Sequence, residues 1–145
     1  MSDSQRKWAL IGVALLIFAG VKFWLINTYL ARQHSTPERV SCADLGQGCP
    51  LADGVSLRFV RPARHGQHFP VQLDGWPANS PPPEVEFAMA GMDMGSARFP
   101  LRDQGHGRWQ ADIMLPVCVT GRQDWLLLLD LHGQRLQVDF VAEPK

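Results

Sequence analysis

Phe87 to Gly95 reads FAMAGMDMG and places Met89, Met92 and Met94 within six residues of one another. Thioethers are soft and neutral and bind without losing a proton. They hold Cu(I) well and discriminate against the hard cations that prefer oxygen. On extended backbone Met92 and Met94, two residues apart, face the same side, whereas Met89, five from Met94, faces the other unless Gly91 supplies a bulge. Methionine is also a common gap-filler in cores. Gly91, Asp93 and Gly95 interrupt the cluster, however, which describes a loop or strand end rather than a packed stripe. Methionines exposed on such a segment need a reason. The residues favour a soft-metal site with Met92 and Met94 as its centre and Met89 as a third candidate.

Cys42 and Cys49 lie in CADLGQGC, ahead of Pro50. In an oxidising compartment such neighbours most often form a disulfide. The other reading is a metal or redox pair, although the spacing is longer than CxxC. Cys118 is left over as a free thiol unless it displaces one of the two. His65 and His68 in RHGQHF, His106 and His132 could each complete a copper site. His106 leads because its turn belongs to the strand following the methionines. No nucleophile elbow, HExxH or phosphate loop is present, so the chain is not expected to be an enzyme. The formal net charge is zero with the basic residues scattered, which argues against a nucleic-acid partner.

The elements that must position these groups are short and alternating. Val55–Val60, His68–Leu73, Glu84–Met89, Ala97–Arg102, Gly107–Met114, Asp124–Leu131 and Gln134–Val141 read as strands. Asn79 to Pro83 (NSPPP) breaks the chain before the third, and Gln104 to Gly107 and His132–Gly133 read as hairpin turns. Leu136, Val138 and Phe140 form one apolar face, with Gln137 and Asp139 directed to water. Trp109 and Trp125 are candidate core aromatics. Seven strands at this spacing predict an all-β, immunoglobulin-like sandwich.

Trp8 to Leu30 is apolar apart from Lys22, Asn27 and Thr28, and about 20 such residues cross a bilayer as a helix. Lys22 sits close enough to the polar step to snorkel, and Trp8, Trp24 and Tyr29 lie near the ends, where aromatic belts form. A cleaved signal peptide is the rival, but no small-x-small site is evident between Ala19 and Ala31. No cysteine follows closely enough for a lipid anchor. The expected organisation is a cytoplasmic tail 1–7, a transmembrane helix 8–30, a linker 31–40 and a periplasmic domain 41–145. The short tail and the cysteines favour the domain outside an inner, cytoplasmic membrane.

The order of small motifs after the methionines resembles the YtkA-like and FixH-like periplasmic domains. The matching residues are Met92 and Met94, Phe99 and Leu101, Gly107 with Trp109, Leu115–Pro116, and Gly121 leading to Trp125. The resemblance covers roughly residues 55–141, and the Gly121-to-Trp125 spacing is longer than the pattern. It implies a tethered sandwich that handles copper, with a copper-dependent oxidase or copper transporter as partner. It also implies that Cys118, two residues after Pro116, stands where the family often has a liganding methionine. A thiolate there would tighten Cu(I) binding and make it pH-dependent. The expected role is a Cu(I) carrier or assembly chaperone. The alternative is a metal-free accessory subunit docking through its domain, and a thiol oxidoreductase using Cys42 and Cys49 is less favoured still.

Overall fold

Asp3–Gln33 has no proline and two well-separated glycines, and it forms one helix, α1. Its segment Gln5–Leu30 is long and apolar enough to cross a membrane. At helical rise those 26 residues extend about 39 Å, against about 30 Å for a bilayer hydrocarbon core. Large apolar side chains, including Leu16, Phe18 and Phe23, stand exposed on it, whereas an amphipathic surface helix would confine them to a stripe. The Thr28 hydroxyl donates to the Trp24 carbonyl within the helix at 2.8 Å. The computed structural model describes residues 3–33, 36–117 and 121–144, and for residues 3, 4, 31–33 and 92–96 it describes the backbone alone.

The chain divides into two units at Thr36 and Pro37. The second unit is built from β1 (Glu38–Val40), β2 (Cys49–Pro50), β3 (Ser56–Phe59), β4 (His68–Asp74), β5 (Glu84–Met89), β6 (Met92–Pro100), β7 (Arg102–Gly105), β8 (Arg108–Met114), β9 (Asp124–Leu131) and β10 (Gln134–Val141). These make two five-stranded sheets, ordered β1-β10-β9-β5-β6 and β2-β3-β4-β8-β7. The alternating runs Val85/Phe87/Met89 on β5 and Trp125/Leu127/Leu129/Leu131 on β9 are buried, as are Phe69 and Val71 on β4. The two inner faces meet ring to ring. Phe69 lies 6.3 Å from Phe87, and Phe59 lies 5.1 Å from Phe140.

Each of the seven expected strands is present, and the described residues hold three more. β1 and β2 are too short for alternation to reveal them. β1 adds in parallel to β10 with Glu38 opposite Leu136, so part of the stretch expected as linker 31–40 is sheet, while α1 extends into its start. β7 arises because the chain changes sheets at Leu101, which is buried and whose N–H donates to the Pro83 carbonyl. Two core expectations also change. Gln137 is buried rather than wet, since Arg39 of β1 flanks it and its amide donates to Asp139 at 2.7 Å. Trp109 is only half-buried, and the buried tryptophans are Trp125 and Trp76.

Cys42 and Cys49 form a disulfide with their Cα atoms 5.4 Å apart, so in this state neither sulfur is a thiolate free to ligate a metal. The loop they close is tied to β3 by the Phe59 N–H, which donates to the Leu45 carbonyl at 2.8 Å. Converting both cysteines to serine should lower unfolding free energy by about 2–3 kcal/mol, the chain-entropy value for so short a loop. Denaturant unfolding with and without reductant measures this. Phe87 is 1% exposed and touches three other phenylalanine rings. Phe87→Ala should cost about 3–5 kcal/mol through the cavity it leaves, read as a fall in the denaturation midpoint.

Candidate metal centre

β5 and β6 join through a two-residue turn, Ala90–Gly91, that sets Met89 opposite Met92. The pairing then shifts. Phe87 is opposite Ala97, so one residue of β5, Ala88, faces four of β6, Asp93 to Ser96. The irregularity falls after Met92 rather than at Gly91, which instead serves the turn with φ +69°. Met94 therefore lies in a bulge on the outermost strand of its sheet. Met89 is buried and belongs to the core cluster.

The Met89 end of this sheet coincides with a defined end of the other. Ala88 is opposite Leu126 on β9, and Trp125 next to it lies 6.0 Å, ring to ring, from His65. His65 bridges in parallel to Leu115, just past the end of β8. Arg64, beside it, bridges to Glu143 beyond β10, and the Arg64 guanidinium donates to the Glu143 carboxylate at 2.7 Å. The Gly66 N–H donates to the Leu115 carbonyl at 3.1 Å and the Glu143 N–H to the Ala63 carbonyl at 2.8 Å. The segment 63–66 thus clamps the ends of both sheets together. Its alternation buries Ala63 and His65 while Arg64 and Gly66 stay exposed.

His65 is 6% exposed. Its Nδ1 lies 3.2 Å from the Pro116 carbonyl. A carbonyl only accepts, so Nδ1 carries a proton, and whenever the ring is neutral its lone pair is on Nε2. Nε2 is buried and has no hydrogen-bond partner, and the same holds for the indole Nε1 of Trp125. A buried polar atom left so costs about 1–3 kcal/mol.

The remaining candidates separate. His106 does not join the methionines. It forms the β7–β8 turn with Gly107, and both have positive φ, 55° and 72°, as a type I′ turn requires. That turn is at the far end of β8 from Leu115, about 20 Å away at strand rise. His132 forms the equivalent β9–β10 turn, where its Nδ1 lies 3.0 Å from Asp53 and its Nε2 3.1 Å from the Ser80 hydroxyl. His68 pairs with Asp112 at 3.1 Å on exposed surface. Cys118 lies outside the described residues. Among the described residues, no three His, Cys, Asp or Glu side chains gather as a metal-holding group. A centre at the methionine end would therefore have to draw on the methionine sulfurs.

Sequence reasoning gave His65 no preference over His68, because RHGQHF carries no periodicity that distinguishes them. The distinction arises from long-range pairing with Leu115 and Glu143. Comparison with protein-family models, curated proteins and solved structures finds no match to this chain.

Proposed function

We propose that this chain is a membrane-anchored Cu(I) carrier or assembly factor. In this reading α1 holds it in an inner membrane, and an immunoglobulin-like β-sandwich faces the periplasm. The observation that carries the reading is the β5–β6 hairpin, which collects Met89, Met92 and Met94 where the two sheets end together, with Met94 in a bulge of an edge strand. Thioethers on an irregular edge segment can exchange a soft ion by stepwise ligand replacement, as a carrier needs. In this reading Cys118, two residues after Pro116 in sequence, adds a further sulfur ligand. The disulfide is consistent with an oxidising compartment. The acceptor would be a copper-dependent oxidase or a copper transporter, a partner class taken from the sequence resemblance to YtkA-like and FixH-like domains alone. The carrier would perform no catalysis and would not engage nucleic acid.

The test is an anaerobic Cu(I) titration of the full chain in detergent against a chromophoric chelator. The expected result is one ion per chain for the parent and at least a tenfold loss of affinity for Met92→Leu/Met94→Leu, equivalent to about 1.4 kcal/mol. Equal affinity in the double variant would refute the assignment. Removing residues 1–33 should move the protein from the membrane to the soluble fraction.

A second reading, a metal-free accessory subunit, draws on the apolar side chains exposed at that same end: Val60, Met114, Val117 and Val141. Under it the methionines form part of a contact patch. The Met-to-Leu changes then preserve docking, since leucine keeps the apolar area. A partner that co-purifies equally with and without copper favours this reading over the carrier.

A further inference from the structure

We propose that His65 is the nitrogen ligand of this centre, binding the metal through Nε2. The assignment rests on the copper reading above and extends it to a residue outside the methionine segment.

The first argument is the state of the ring. The Pro116 carbonyl accepts a hydrogen bond from Nδ1–H, which in the neutral imidazole leaves Nε2 as a bare lone pair. Metal-bound histidines are usually held in this way, donating the other N–H to a backbone carbonyl or carboxylate that fixes the ring and raises its basicity. The second is that Nε2 is buried with no hydrogen-bond partner while the ring is 6% exposed. A solvated turn histidine would meet water, and a structural one would meet a donor. Two other histidines do meet partners, His68 on Asp112 and His132 on Asp53 and Ser80.

The third argument is place. His65 is packed against Trp125, and the β9 residue after Trp125 is opposite Ala88, next to Met89. Arg64, its charged sequence neighbour, is engaged by Glu143 and does not claim the ring. Gly66 and Gln67, which follow it in sequence, are exposed while His65 itself is buried. One imidazole with thioethers forms a neutral donor set, which suits Cu(I) and requires no proton release. The division of labour is physical. His65 sits on a segment pinned to both sheets, while the backbone of Met92 and Met94 runs in an irregular edge strand. The nitrogen would be the fixed ligand and the sulfurs the exchanging ones.

The alternative occupant of Nε2 is the indole N–H of Trp125, which is equally unpartnered and could reach it through a shift of either ring. Two measurements on the full chain in detergent separate the cases. X-ray absorption of the Cu(I)-loaded parent should require one imidazole nitrogen beside sulfur, and His65→Gln should lose that scatterer. In competition with a chelator, His65→Gln should bind Cu(I) at least about tenfold more weakly than the parent. An all-sulfur shell in the parent, or affinity in His65→Gln unchanged, overturns this inference and leaves the copper reading standing. A parent that binds no Cu(I) overturns both. Far-UV circular dichroism checks that His65→Gln folds, and if it does not, the parent's absorption spectrum alone decides.

Discussion

Contact between the two inner faces through Phe59, Phe69, Phe87 and Phe140 is the constraint on which the rest depends. These rings come from both sheets and lie 5.1–6.3 Å apart in edge and tilted arrangements, the separation at which aromatic pairs attract beyond their buried area. They fix how far each strand slides along its neighbour in the opposite sheet. Once that is fixed, the ends of β5, β8, β9 and β10 fall at one level, and the segment 63–66 can bridge Leu115 and Glu143 together. The burial of His65 follows from core packing some residues away rather than from any preference of its own sequence.

Much of the fold was legible because its signal is local. Alternation in DWLLLLDL and QRLQVDFV maps directly onto β9 and β10, whose bounds match the sequence expectation. The two His–Gly turns were legible for the same reason, since type I′ geometry demands positive φ at both positions. β1, β2 and β7 were not, because two to four residues carry too few alternations to register and their pairing is decided by distant chain. Gln137 shows the limit of alternation. It occupies an outward position, and only the arrival of β1 beside it removes its water.

The candidate centre was legible in part, and the division has the same cause. The methionine spacing is visible in nine residues, whereas the one-against-four pairing at Ala88 depends on where β6 resumes register at Ala97. His106 was attractive because it follows the methionines in sequence. The change of sheets at Leu101 carries the chain away from them, and β8 then returns it along its whole length before Leu115 reaches their end. Nearness in sequence and nearness in space diverge here at one buried residue.

The two ends of the sheets differ in how their polar groups are satisfied. At the turn end, His132 meets Asp53 and Ser80, and the Arg108 guanidinium donates to Asp74 at 2.9 Å and, with the Gln72 amide, holds its carboxyl below the usual range against the opposing effect of burial. A carboxylate favoured in its charged form stabilises the fold above its unfolded pKa and loses that contribution as pH falls through the lower folded value. With both partners partly exposed the effect is modest. The opposite end leaves His65 Nε2 and Trp125 Nε1 unpaired while surrounding them with core. The chain enters the two-sheet unit at Glu38, beside Leu136 and toward the turn end, so the entry point and the unpaired groups lie at opposite ends of that unit. Buried polar atoms without a partner are few in native folds and are explained by strain, water, an ion or chemistry; Arg58 Nε on β3 is a third such atom, and Met89 and Met92 share the end that holds the other two.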